Sequence, residues 1–433
     1  MRQYLQVLLT ALLPLLLIDV GDAAGGDGGL RSAQLGPRPF YLVDELERGP
    51  LKRDLKRCMR RTESYEASDF SIGHRGAPLQ FPEHTKESYV AAARMGAGIL
   101  ECDVSITTDG KLVCRHAQCD LLSTTNILET PLAAKCSIPP DMSSATPFAN
   151  VRCCTTDITL QEFKSLRGKM DAQDRGAATL DDYLNATADW RSDLYTTSNG
   201  ATLLSHIESI RLFKRLRRKM TPELKSVDPS EFPPGFDQKA YARQIVQDYI
   251  DAGVAPRNVW LQSFNYDDVL LWINEYPKFG RQAVFLDGRY DPDIPAEDLF
   301  DRKADGLNII APPMQILLST ENGEIVPSDY ALRAKDAGLD IISWTTERSG
   351  RIREEVIPAN GAFYYDTTVD ALGNDGDILR QIDVLVQQVG IFVLFSDWPA
   401  TTTFYANCKD VPALDAMHGK RPWRSYRSKR GPY

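Results

Sequence analysis

The chain has 433 residues, 43% hydrophobic and 25% charged, a globular balance that excludes collagen-like, coiled-coil and wholly disordered chains. Its length fits two or three domains, or one large barrel with an insertion. A formal net charge of -9 excludes a dedicated nucleic-acid binder, whose basic face would dominate the total.

In chain order, Arg2, the apolar run Val7–Ile18 and the small residues Ala23 and Ala24 read as a signal peptide over residues 1–24. The run is too short to span a bilayer, which takes about 20 apolar residues. No other stretch is long enough either, so the mature chain is expected to be secreted or extracytoplasmic, with no stable membrane span. Asn185 to Thr187 form one N-x-T sequon. Residues 25–68 form an N-terminal lead-in whose basic run, RGPLKRDLKRCMRR, reads as a solvated helix.

From Phe70 the chain alternates short apolar strands with amphipathic helices. The candidate strands are FSIGH, GILECDV, KLVCRH, KMTPELK, NVWLQSF, QAVFLD, LNIIAPP, DIISWT and GIFVLFSD. Between them, YVAAARMGA carries a stripe of Tyr89, Ala92, Ala93 and Gly96. A second helix starts at Asp237 as N-cap, shows Tyr241, Ile245 and Tyr249 on one face, and stops at Gly253. Repeated strand–helix units predict a parallel sheet, and about eight of them an α/β fold of the (β/α)8 TIM-barrel type over residues 69–405. With nine candidates, one must lie outside the barrel or form a hairpin. KLVCRH, a turn after ECDVSIT, is the suspect. Residues 117–200 lose the rhythm and read as an insertion between early barrel elements that caps one end. The basic tail, residues 406–433, is expected to be disordered, with at most weak attraction to anionic surfaces.

Eight cysteines suit an oxidising route. Strand alternation puts Cys102 on the face opposite Glu101 and Asp103, so a buried free thiol is expected there. Cys114, on the same face as His116 but one layer below, is read the same way. Bridges are expected to staple the segment holding Cys119, Cys136, Cys153 and Cys154.

Three of the five histidines, His74, His84 and His116, fall close together in the chain, and His74 and His116 close strands. Histidine exchanges protons near neutral pH, so such a pair suits a reaction that moves two of them. Glu101 and Asp103 project the same way, about 7 Å apart along a strand. Glu223 and Lys225 share a face in TPELK. Three carboxylates make a hard oxygen site suited to one divalent cation, Mg2+ or Ca2+. Arg75 beside such a cation would hold a phosphate group. A metal, a cationic clamp and two proton-transfer groups are what phosphodiester hydrolysis needs.

These residues carry a family resemblance. The string from Gly73 to His116 closely resembles the opening signature of the glycerophosphodiester phosphodiesterases, and TPELK, LQSF, SWTTE and FSDWP match later motifs of that family in order. The resemblance covers roughly residues 70 to 400, and the inserts around Cys119, Cys136 and Cys153 look like a secreted, cysteine-containing branch with a large cap. It implies a small-molecule glycerophosphodiester substrate, cleaved to glycerol phosphate and an alcohol. His74 and His116 would be the proton-transfer pair, Glu101, Asp103 and Glu223 the metal ligands, and Arg75 and Lys225 the cations on phosphate. Gln262 and Trp344 would line the substrate pocket, Trp344 as an apolar wall. The chain departs from the family in having His84 where Asn is usual. Because that residue opens a helix, capping is the expected role, with a third proton-transfer group as the alternative. His206 reads as structural.

Two other readings compete. One is a phospholipase D-like barrel acting on lysophospholipids or sphingolipids, which would share the histidines and carboxylates and differ in pocket and cap. The other is a non-catalytic surface-binding barrel, against which the complete set of His74, Arg75, Glu101, Asp103, His116, Glu223 and Lys225 argues.

Overall fold

The structure is a computed structural model that describes residues 32–196, 200–289, 296–412 and 414. The expected signal peptide, and the basic tail beyond residue 414, lie outside the described residues.

The strands are β1 (Ser68–Gly73), β2 (Ala97–Ile106), β3 (Leu112–Cys114), β4 (Lys219–Leu224), β5 (Gln262–Ser263), β6 (Val284–Leu286), β7 (Ile309–Ala311), β8 (Leu318–Glu321), β9 (Glu324–Pro327), β10 (Asp340–Thr346) and β11 (Val393–Ser396). They are arranged β1-β11-β10-β7-β6-β5-β4-β2, all parallel, and β1 pairs with β2 as well, which closes an eight-stranded barrel. KLVCRH is indeed the hairpin: β3 pairs antiparallel with the end of β2, Val104 opposite Cys114. β8 and β9 form a separate hairpin between β7 and β10.

Strand alternation sends one set of side chains into the barrel and the other under the helices. Ile72, Ile99, Val284, Ile309, Ile342 and Val393 fill the interior as one cluster. The opposite set meets the helices in the larger core. The helices used below are α1 (Arg38–Glu45), α2 (Pro50–Arg61), α3 (Lys86–Arg94), α4 (His206–Arg215), α5 (Gln238–Asp251) and α6 (Pro399–Cys408). α3 buries Tyr89, Ala92 and Ala93, and α5 buries Tyr241, Ile245 and Tyr249 behind its Asp237 cap. Ser205 and Glu208 form a capping box at the start of α4.

The lead-in is not a freely solvated helix. α1 and α2 bury Leu42, Val43 and Leu55, Arg38 forms an ion pair with Glu347, and a disulfide ties Cys58 of α2 to Cys408 of α6. Only the outer face of the basic run is left for water.

Residues 117–200 gather a core of their own around Leu121, Ile127, Phe148, Phe163 and Tyr183. Two disulfides, Cys119–Cys154 and Cys136–Cys153, staple it as expected. Its far end lies on the loop after β1: Arg191 donates from Nε and Nη2 to the Pro78 carbonyl at 3.0 and 2.6 Å. The free-thiol expectation for Cys102 and Cys114 was wrong, because the β2–β3 pairing brings their Cα atoms to 5.2 Å and they are bonded to each other. Alternation predicted the face of Cys102 correctly. It does not reveal that a second strand folds back across that face.

Candidate active site

His74, Arg75, Glu223, Lys225, Gln262 and Trp344 sit at or just past the carboxyl ends of barrel strands, where this architecture builds its sites; Glu101 and Asp103 lie on β2, and His116 follows the β3 hairpin strand. Register does much of the assembly. Asp103 of β2 lies opposite Glu223 of β4, and Glu223 lies opposite Gln262 of β5, so three polar side chains form a row across neighbouring strands. Glu101 stands two residues below Asp103 on the same face, and the ligating oxygens of Glu101, Asp103 and Glu223 lie within 4.8 Å of one another.

Glu101 accepts from the backbone N–H of Arg75 at 2.8 Å and from Gln262 Nε2 at 3.1 Å. Glu223 holds Lys225. Burial pushes the Glu101 carboxyl well above its ordinary range, helped by Asp103 and Glu223, and burial raises Glu223 too, against the pull of Lys225. Asp103 is buried yet held below the usual range by His84, Lys225 and Arg75. Crowding three carboxylates this way is unfavourable without a cation among them. Asp103 Oδ1 and Gln262 Oε1 are both buried with no hydrogen-bond partner. An all-oxygen donor set with two unused acceptors fits a hard divalent cation.

Arg75 adopts φ 56°, and Gly76 follows at φ 99°, where a Cβ would run into the Ser88 side chain. The left-handed turn brings the Arg75 backbone against Glu101, while its guanidinium donates to Glu83 at 2.9 Å. Its Nε is buried without a hydrogen-bond partner, 3.9 Å from Asp103 Oδ2.

The two proposed proton-transfer histidines differ in surroundings. His74 Nδ1 is 2.5 Å from Asp397 Oδ1, which leaves Nε2 as the nitrogen free to react. Burial lowers the His74 pKa to about 4 against the opposing pull of Asp397. Asp397 is itself buried, but Arg348, 2.9 Å from Oδ2, and His74 bring it down to about 2. His116 makes no side-chain hydrogen bond among the described residues. Burial, then Arg75, Lys225, Arg348 and His84, hold its pKa well below the ordinary value.

His84 does not cap α3: Thr85 does, accepting from Ser88 N at 3.3 Å. Fully buried, His84 instead reaches Asp103 Oδ2 at 2.9 Å and the Tyr89 hydroxyl at 2.8 Å. It orients a carboxylate. His206 is structural as expected, bonded to Asp248 at 2.8 Å.

Trp344 donates from its indole to the Ala311 carbonyl at 2.7 Å. Phe264 meets it edge-on at 5.8 Å and Phe363 stacks at 6.2 Å. Lys225 lies 5.9 Å from the Phe264 ring centre, so the aromatic wall adjoins the charged floor. On the other side, a cavity of about 340 Å³ lined by Ser123, Asp171, Trp190 and Arg191 of the insertion reaches Arg348. Asp397, Arg348 and Glu83 were not singled out in the sequence. Two of them stood in matched strings, PEHT and FSDWP, and an acidic residue in a motif was the available signal.

Residues 74–383 match the glycerophosphoryl diester phosphodiesterase family. An Arthroderma benhamiae protein described as an extracellular protein is 41% identical over 247 residues, 55% of this chain and 99% of that one. The Arabidopsis thaliana glycerophosphodiester phosphodiesterase GDPD6 is 28% identical over 188 residues, 41% of this chain and 44% of that one. A crystal structure from Silicibacter pomeroyi assigned to the same family superposes with TM-score 0.51 at 17% identity, covering 78% of this chain and 93% of that one, a likeness of fold.

Proposed function

This chain belongs to the glycerophosphoryl diester phosphodiesterase family, and from that premise we propose that it hydrolyses glycerophosphodiesters to glycerol phosphate and an alcohol outside the cytoplasm. The observation that carries the reading is the convergence of Glu101, Asp103 and Glu223 within 4.8 Å of one another, beside Arg75 and the His74–Asp397 pair. Glu101, Asp103 and Glu223 would hold one divalent cation, Ca2+ or Mg2+, which when bound supplies Lewis-acid stabilisation of charge on phosphate oxygens.

Arg75 and Lys225 hold the phosphate, and as preorganised cations in a water-poor site they favour the transition state, where negative charge is greatest. One histidine takes the proton of the nucleophile, either water or the glycerol 2-hydroxyl with water opening the resulting cyclic phosphate, while the other gives a proton to the departing alcohol oxygen. Asp397 fixes the His74 ring so that Nε2 faces the reaction. Gln262 and Trp344 line the pocket. Four disulfides suit a secreted protein. Among the described residues no helix is long and apolar enough to cross a membrane.

The test is phosphorus NMR of the purified mature chain with glycerophosphocholine, in Ca2+, in Mg2+ and in chelator. Metal-dependent appearance of glycerol phosphate is expected. His74→Ala, His116→Ala and Glu101→Ala proteins should fold and lose most turnover. Near-native activity in any one of them removes that residue's role.

A further inference from the structure

The surroundings of His116 disfavour its charged form. If it carries a proton at any stage of the reaction, Arg75, Lys225, Arg348 and His84 all oppose that charge. His74, by contrast, has Asp397. A second carboxylate lies close by. Oxygens of Glu83 and Asp120 and a ring nitrogen of His116 lie within 4.8 Å of one another. Glu83 is already engaged, accepting from Arg75 at 2.9 Å with Arg348 at 3.7 Å.

Asp120 is not. It stands at the N-cap of the short helix Leu121–Thr124, yet its side chain makes no capping hydrogen bond. Oδ2 accepts from the Ala117 backbone at 3.1 Å, and Oδ1 is buried with no partner. Aspartate is favoured at an N-cap because it bonds the first free N–H groups, so a side chain turned away from that role calls for another. The Ala117 bond turns it back toward the residue after His116, and the Cys119–Cys154 disulfide anchors the backbone beside it. Burial raises the Asp120 carboxyl to about 6, helped by Glu83 and opposed by Arg115, the Ala117 bond and Arg75.

We propose that Asp120 is a positioning residue for His116, its unpartnered Oδ1 accepting a hydrogen bond from the imidazole and so fixing which ring nitrogen faces the substrate. The pairing rests on the phosphodiesterase reading only for its consequence in turnover. The two histidines would then each lean on an aspartate from a different part of the chain, Asp397 after the last barrel strand and Asp120 at the mouth of the insertion.

The experiment compares Asp120→Asn and Asp120→Ala in the native and His116→Ala backgrounds. Asparagine keeps an acceptor for Ala117 and guards against simple misfolding. A well-oriented proton-transfer group contributes about 10²- to 10⁴-fold, so kcat should drop roughly 10- to 100-fold with KM little changed, and the same substitution should cost nothing further once His116 is gone. An equal proportional loss in both backgrounds overturns the proposal, as does an Asp120→Asn enzyme within about threefold of native kcat. Imidazole NMR of the full mature chain gives a readout independent of turnover. Above about pH 7, where the Asp120 carboxyl is ionised, the His116 ring nitrogens should show one tautomer in the native protein and a mixture in Asp120→Asn, and unchanged nitrogen shifts overturn the pairing. Absence of phosphodiesterase activity in the native protein would defeat the function reading and leave this second test standing.

Discussion

Asp397→Asn isolates what the buried aspartate does for His74. The aspartate serves two donors with two oxygens, His74 Nδ1 at 2.5 Å on Oδ1 and Arg348 at 2.9 Å on Oδ2, with no exposure of the side chain. Asparagine has nearly the same volume and only one acceptor. Its NH2 group must therefore face either Arg348 or the His74 N–H, donor against donor. A hydrogen bond to a charged group contributes about 1.5 to 3 kcal/mol, and about 1.4 kcal/mol is tenfold in rate. If the loss falls on the transition state, kcat should drop about 10- to 150-fold. Glycerol phosphate formation followed by phosphorus NMR measures it, with circular dichroism to show that the protein is folded. A folded Asp397→Asn enzyme within about threefold of native kcat would refute the idea that His74 depends on this partner.

The same pair sets an acid limb of stability. His74 is held near 4 in the folded state, below its ordinary 6.5, so the unfolded chain takes the proton first and stability falls as pH drops from 6.5 toward 4. Asp397 is held near 2, below 3.8, so its contribution, about 2 kcal/mol, is present above 3.8 and lost as pH falls through 2. Denaturant midpoints should decline over both windows, and Asp397→Asn should flatten the lower one. Glu101→Gln should abolish calorimetric binding of Ca2+ or Mg2+ without a large drop in melting temperature, since removing one of three crowded carboxylates relieves repulsion; native affinity would remove Glu101 from the ligand set. Cys58→Ser opens a bridge across 350 residues of chain. It should cost about 2 to 5 kcal/mol, read as a lower melting temperature with kcat unchanged while the protein is folded; an unaltered melting temperature would show that docking of α2 does not need the bond.

The site was legible where it is built from residues close in sequence. Glu101 with Asp103, and Glu223 with Lys225, follow from the two-residue period of a strand. His74 with Arg75 stands at the mark of a strand ending in glycine. The barrel itself was legible from repetition. What escaped depends on partners far apart in the chain: His74 and Asp397 are 323 residues apart, and Arg348 and Asp397 are 49 apart. No local pattern relates them, because β1 and β11 become neighbours only when the barrel closes. The same limit explains His84, whose place before α3 suggested a cap although it turns inward to Asp103. It also explains Cys102, whose partner arrives on a returning strand.

The Cys58–Cys408 bond has a meaning beyond the packing of α2 on α6. It turns nearly the whole barrel, insertion included, into a covalent ring whose joined positions stand 350 residues apart in the chain. A single peptide bond cut anywhere in that ring linearises it and releases nothing. Nicked molecules would keep His74, before the cut, and Asp397, after it, on one covalently connected particle. They would migrate as one species until a reductant parted them. Where proteases are present, cleavage at a surface loop and loss of the assembled site become separate events.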